Sequence, residues 1–231
     1  MKAMLLAAGR GERLRPLTDH VPKALVQVGG KPLIAWHLER LAASGCREAV
    51  INVAYLAQKI VDTIGDGASF GLRISFSREA EPLETAGGIA QALPLLGEEP
   101  FLLVNADIYC DIGFRRLLEL PLDARLAHLV LVPNPPHRAQ GDFSLEAGNV
   151  GNDGAPRYTY AGIAVLSPRL VESVKRGDKA PLAPLLRSGA QKRLISGELF
   201  GGLWQDVGTA ERLAELETQL APGHTTRHES K

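Results

Sequence analysis

Four short apolar runs, alternating with stretches of helical spacing, limit what this chain can fold into. The first, at residues 3–7, ends in a glycine-punctuated loop, as expected of a strand buried on both faces. Pro32 then suits the first turn of a helix; Leu33, Ile34, Leu38, Leu41 and Ala42 share one face, and Gly45 marks its end. Strands follow at 49–53, 72–77 and 101–104, with helices at 57–64 and 86–96, the latter in spite of Gly87 and Gly88. This β-α-β-α-β-α-β rhythm predicts an α/β fold: a mainly parallel mixed sheet flanked by helices on both faces, Rossmann-like, with ligands outside the carboxyl ends of the strands.

Beyond a further strand at 127–132 the rhythm weakens, because Pro133, Pro135 and Pro136 are followed by Gly141, Gly148, Gly151 and Gly154. A loop or hairpin is expected there. A strand at 158–166, helices at 168–175 and 182–187, a short strand at 193–196 and a helix at 209–220 complete the reading. Thr209 caps the last helix, with Glu211 in its first turn. The 231 residues amount to one large domain or two small ones, and residues 221–231 read as a polar, frayed tail.

Composition removes several function classes. Basic and acidic residues number 26 each, so the chain lacks the basic excess of proteins that bind nucleic acid or anionic membranes. Cys46 and Cys110 are far apart and in no C-x-x-C pattern, which leaves neither a disulfide framework nor a thiolate zinc site. The N-terminal apolar run meets Arg10, Glu12, Arg13 and Arg15 before reaching the about 7–15 residues of a secretory core. No stretch approaches the about 20 apolar residues that span a bilayer, so a soluble, cytoplasmic protein is expected. His224 and His228 stand four apart in the polar tail without a third metal ligand nearby.

The densest chemical signal is Leu5-Leu6-Ala7-Ala8-Gly9-Arg10-Gly11-Glu12-Arg13-Leu14-Arg15-Pro16-Leu17-Thr18, followed by Pro22-Lys23 and Lys31-Pro32. Glycines at 9 and 11 let the backbone turn and bring its N–H groups against a phosphate chain, while Arg13, Arg15 and Lys23 add positive charge. Leu14 replaces the third glycine of a dinucleotide fingerprint, and no Gly-Lys-Ser/Thr closes a Walker A loop. What remains is a polyphosphate site of another kind.

The run from Leu6 to Pro32 resembles the signature of the sugar-1-phosphate nucleotidylyltransferases, with agreement at Gly9, Gly11, Arg13, Leu14, Pro16, Leu17, Thr18, Pro22, Lys23 and Pro32. Family-like segments recur at Glu81-Pro82-Leu83-Glu84-Thr85-Ala86-Gly87-Gly88, Asn105-Ala106-Asp107, Tyr160-Ala161-Gly162-Ile163 and Trp204-Gln205-Asp206-Val207-Gly208-Thr209. The resemblance implies one catalytic domain over residues 1–220, with a nucleotide-binding half at roughly 1–110 and a sugar-binding half at 111–220. It places a nucleoside triphosphate on Leu6, Ala8, Gly9, Gly11, Glu12, Arg13, Lys23, Glu81, Ala86 and Gly87, and a sugar phosphate on Asn105, Gly141, Glu146 and Tyr160. Asp107 and Asp206 would hold Mg²⁺ and act with Arg13 and Lys23 in catalysis.

These residue types suit the implied reaction. A sugar 1-phosphate is already ionised at neutral pH, its second pKa lying near ~6, so it can attack the α-phosphorus of a triphosphate without a general base. The protein has to position two polyanions and offset their repulsion. One departure from the family pattern is the missing Glu-Lys-Pro segment between Gly141 and Tyr160, for which Glu146 stands in. The short length and Thr85-Ala86-Gly87-Gly88 resemble most the members that use UTP and N-acetylmuramate 1-phosphate in cell-wall recycling. Alternatives are a hexose 1-phosphate with GTP, dTTP or CTP, or a non-catalytic nucleotide-sugar sensor. Blander roles also stay open: Asp206 assisting the Thr209 helix start, Asn105 as a turn residue, and Gly87-Gly88 as a loosely packed helix start. Oligomeric state is not legible.

Overall fold

A computed structural model describes residues 1–221; the remainder of the expected tail, with His224 and His228, lies outside the described residues. Strand β1 (Lys2–Leu6) leads through the basic loop, which winds into three 3₁₀ turns, to the hairpin β2 (Gln27–Val28) and β3 (Lys31–Pro32). Then come α1 (Leu33–Ala43), β4 (Glu48–Val53), α2 (Ala57–Ile64), β5 (Arg73–Arg78), α3 (Glu84–Leu96), β6 (Phe101–Asn105), β7 (Ile108–Cys110) and α4 (Arg115–Leu118). The second half contains β8 (Ala127–Val132), β9 (Phe143–Glu146), β10 (Asn149–Gly151), β11 (Arg157–Leu166), α5 (Ala183–Gln191), β12 (Ile195–Leu199), β13 (Trp204–Asp206) and α6 (Ala210–Leu220).

One sheet runs through both halves in the order β5-β4-β1-β6-β11-β8-β12-β10-β9. Its first four strands are mutually parallel, β11 lies antiparallel to both β6 and β8, β12 returns parallel to β8, and the β9–β10 hairpin forms the far edge. Period-two burial explains the layers. Leu5, Ile51, Leu102 and Val104 join Leu38 of α1 and Ile60 of α2 in one core, whereas Met4, Val50, Phe101 and Leu103 join Ile89 of α3 and Leu186 of α5 in the other. A third, smaller core unites Leu14, Val28, Leu33, Tyr109, Val207 and Leu216, tying the basic loop to α6. Among the described residues no helix is long and apolar enough to cross a membrane.

Two local expectations change, and one strand pairing was not foreseen. The helix expected at 168–175 is a 3₁₀ turn, Pro168–Val171, started by Ser167; Ser173 and Val174 are weak helix formers. The strand expected at 193–196 begins only at Ile195, because Arg193 adopts φ 57° and Leu194 N–H donates to Gly189 O at 2.9 Å, closing the end of α5. Strands β7 and β13 are too short to show a period, yet they pair antiparallel and matter for the site.

His37 of α1 is fully buried; its Nε2 lies 2.7 Å from Ile108 O, and its Nδ1 has no partner among the described residues. The carbonyl accepts, so Nε2 carries the proton of a neutral ring. Burial pulls the ring's pKa down to about 4, with Arg40 adding to the shift and the Ile108 carbonyl opposing it. The unfolded chain therefore takes up a proton near 6.5 that the folded chain refuses until about 4. Stability should fall as pH drops through that window, by at most about 1.4 kcal/mol per pH unit. Urea midpoints between pH 7 and 4 should decline less steeply in His37→Gln than in the wild type; parallel slopes would contradict this.

Candidate active site

The parallel pairing of β1 with β6 sets Leu6 beside Asn105, and Ala106 N–H donates to Leu6 O at 3.1 Å. A cavity of about 210 Å³ opens at these carboxyl ends, with Leu6, Ala8, Gly9, Asn105 and Asp107 in its wall. A buried polar chain fixes the loops around it. Ala7 N–H donates to Asn52 Oδ1 (2.8 Å), Asn52 Nδ2 to Glu79 Oε1 (2.6 Å), and Leu83 N–H to Glu79 Oε2 (2.9 Å). Burial raises the Glu79 pKa, while the Leu83 and Asn52 donors oppose the rise. A Cβ at Gly88 would come within 2.8 Å of both Asn52 Nδ2 and Glu79 Oε1, so Gly88 makes room for this chain. Sequence reasoning missed Asn52 and Glu79, which reveal themselves only through contacts distant along the chain.

The cavity continues into a charged lobe lined by Arg10, Glu12, Arg13, Lys23, Glu81 and Lys179, among others. Lys23 Nζ donates to Asp107 Oδ2 at 2.6 Å; its side chain is only 11% exposed, against 40% for Asp107, so the pair stands at the boundary between core and lobe. Arg15, by contrast, faces Asp19 at 3.2 Å, is largely exposed and does not line the lobe. Arg10, from within the glycine-rich run, does line it, and so does Lys179 from far along the chain.

The two glycines of the loop divide their work. A Cβ on Gly9 would meet nothing within 4 Å, so its backbone faces open space. Gly11 has φ +65°, and a Cβ there would lie 3.0 Å from Thr18 Cγ2 and 3.1 Å from Lys23 Cβ. Ala86 and Gly87, expected to approach a nucleotide, are buried, and their N–H groups both donate to Ala180 O at 2.9 and 3.1 Å. The close approach that Gly87 permits is that of the Asp178–Ala180 backbone.

Pairing of β13 with β7 sets Asp206 opposite Ile108, and Val207 N–H donates to Asp107 O at 2.9 Å. The two expected metal ligands thus lie on adjacent backbones, but their carboxylates have different partners. Arg212 Nη1 donates to Asp206 Oδ1 and Oδ2 at 2.6 and 2.5 Å, and its other contact is His137 Nε2 at 2.7 Å. A ring nitrogen that accepts from Arg212 cannot also donate to Asp206, so the 3.2 Å approach of His137 to Asp206 is a contact rather than a hydrogen bond. Asp206 and Arg212 face a neighbouring pocket with His137 and Trp204. Among the described residues no three His, Cys, Asp or Glu side chains gather to hold a metal. A hard cation that takes one carboxylate plus phosphate oxygens and water fits Asp107; Asp206 fits it only after Arg212 lets go.

On the expected sugar side, Asn105 packs against Gly162, whose φ is +75° and whose Cβ would lie 2.7 Å from Asn105 Nδ2. The Tyr160 hydroxyl is buried with no hydrogen-bond partner among the described residues, and burial raises its pKa; Tyr160 N–H donates to Asp142 Oδ2 at 2.9 Å. A Cβ at Gly141 would lie 2.8 Å from Asn134 Oδ1 and 2.9 Å from Tyr158 N, so the fold leaves no room for a side chain there. Glu146 does not join this group: it is exposed on β9 and lines a separate groove with Gln191 and Arg193.

The nucleotidyl transferase family model matches residues 2–145. The chain is 49% identical over 225 residues to N-acetylmuramate alpha-1-phosphate uridylyltransferase of Neisseria meningitidis serogroup B, covering 94% of this chain and 97% of that protein. It is 33% identical to mannose-1-phosphate guanyltransferase of Aspergillus fumigatus, over 90% of this chain but only 61% of that protein. In structure it matches a Bacillus anthracis protein named for glucose-1-phosphate thymidylyltransferase, with a TM-score of 0.85 over 100% of this chain and 98% of the other; at 17% identity this shows the fold alone.

Substitution should separate the two glycines. Gly9→Val places a side chain in open space and should weaken triphosphate binding at unchanged melting temperature. Gly11→Val forces a branched residue into positive φ against Thr18 and should lower the melting temperature by several degrees. Calorimetry and nucleotide titration of both variants check the pair, and the reverse pattern would contradict it.

Proposed function

The chain belongs to the nucleotidyl transferase family, and we propose that it transfers a uridylyl group from UTP to N-acetylmuramate 1-phosphate. An oxygen of the sugar phosphate attacks the α-phosphorus, the bond to the β-phosphate oxygen breaks, and pyrophosphate leaves. The observation that carries the choice of substrates is the 49% identity that runs almost end to end along both chains. Nucleoside triphosphates are made in the cytoplasm, so that is the compartment we assign, and reuse of cell-wall sugar is the purpose the product suits.

The residues divide the task as follows. Gly9 leaves its backbone open to the phosphate chain, and Arg13, Lys23, Arg10 and Lys179 supply four cations around the lobe in which the phosphates would lie. No base is needed for an ionised phosphate nucleophile, so holding the reactants in line and spreading charge make up the protein's contribution. Asn105 forms no side-chain hydrogen bond among the described residues, which leaves its amide for the sugar side. Mg²⁺, held by Asp107 and by Asp206 once the latter is free of Arg212, would reduce repulsion between the two polyanions. In this proposal the catalytic domain covers residues 1–220, its nucleotide and sugar halves meeting where β6 pairs with β11.

Pyrophosphate release over four triphosphates and several sugar 1-phosphates tests the assignment. UTP with N-acetylmuramate 1-phosphate should give the highest kcat/KM. Equal efficiency with N-acetylglucosamine 1-phosphate would refute the muramate reading, and a preference for GTP, dTTP or CTP would refute the uridylyl reading. Lys23→Ala and Asp107→Ala should each lower kcat more than tenfold, a loss above about 1.4 kcal/mol, with smaller changes in KM. EDTA should abolish activity and Mg²⁺ restore it.

A further inference from the structure

Glu84 opens α3 with φ 61°, in the left-handed region that a residue bearing Cβ adopts at a cost. Four other non-glycine residues do so among those described, Leu56, Asp123, Ala147 and Arg193, but Glu84 is the one in the wall of the cavity. Glycine would sit there without strain. Nothing among the described residues explains why a carboxylate is kept instead. It accepts no side-chain hydrogen bond among the described residues, and the first donors of α3 are already taken by Ala180 O. Lys179 Nζ is 3.9 Å away, but both side chains are well exposed, at 66% and 44%, and such pairs contribute little. A strained residue without a structural reason, in the wall of a ligand cavity, points to the ligand.

We propose that the Glu84 carboxylate binds the ribose 2′,3′-diol of the nucleoside triphosphate and thereby sets the enzyme's selectivity for ribonucleotides. Glu84 lines the inner cavity with Leu6, Ala8 and Thr85 but not the cationic lobe, which assigns it to the nucleoside rather than to the phosphates that would repel it. A carboxylate has two acceptor oxygens and pairs best with two adjacent donors. A vicinal diol offers two O–H groups side by side. Uracil offers a single N–H flanked by two carbonyls, which a carboxylate repels, so the choice of ribose over base rests on the uridylyl reading.

The test uses the full chain and its Glu84→Gly and Glu84→Gln variants, with dissociation constants and kcat/KM for UTP and 2′-deoxy-UTP. The wild type should favour UTP by about tenfold or more, the size of one charge-assisted hydrogen bond. Glu84→Gly should bring the ratio close to one by weakening UTP about tenfold more than 2′-deoxy-UTP, which loses only its 3′-hydroxyl contact, and its melting temperature should rise as the left-handed position receives glycine. Glu84→Gln, keeping one acceptor, should give an intermediate ratio. An unchanged ratio in Glu84→Gly, an equal loss with both nucleotides, or a fall in melting temperature would overturn the proposal. So would a collapse of discrimination between UTP and GTP with the ribose ratio intact, which would make Glu84 a reader of the base. If the wild type prefers another triphosphate, the uridylyl reading fails by itself, and that triphosphate with its 2′-deoxy counterpart still decides the role of Glu84.

Discussion

The pairing of β1 with β6 is the constraint on which the rest of the site depends. Both strands are buried on both faces, which fixes their register against α1 and α2 on one side and α3 on the other. With Leu6 beside Asn105, the chain leaves the sheet twice at one point: once into the basic loop, and once into the turn that bears Asp107. The Lys23–Asp107 ion pair then ties these two exits together. The Asn52–Glu79 chain does the same for the exits of β1, β4 and β5, with Ala7 and Leu83 as its end points.

Charge is handled in pairs. Taken alone, the site holds each of its two key aspartates against a cation, Asp107 against Lys23 and Asp206 against Arg212. Neither pair is fully exposed, so removing one member would leave a partly buried charge behind. Of these two cations Lys23 also lines the lobe proposed for the phosphates, whereas Arg212 faces the neighbouring pocket.

Several positions assigned to substrate also have a place in the fold. Gly87 was legible as a point of close approach, but sequence could not say what approaches; it is the 178–180 backbone, some ninety positions away. Gly141 stands in the same case, fitted against Asn134 and Tyr158. Glu146 had the right chemistry for the sugar side and lies in another groove, because the β9–β10 hairpin points it elsewhere. In the other direction, Lys179 lies far along the chain from the basic loop and becomes a lobe residue only through the fold.

Alternating apolar runs and helical spacing determined the parallel core from β1 to β6, since a strand buried on both faces and an amphipathic helix each leave a local period. The glycine-rich basic loop, being contiguous, was legible for the same reason. Only tertiary structure decided that β7 and β13 pair, so that Asp107 and Asp206 come onto neighbouring backbones, and that Arg212 rather than open space meets the second carboxylate. Three-residue strands carry no period, and an ion pair six residues apart across a strand end and a helix start has no fixed spacing to betray it. The left-handed backbone of Glu84 belongs to the same class, because the chain around it, and not the residue type, imposes that φ.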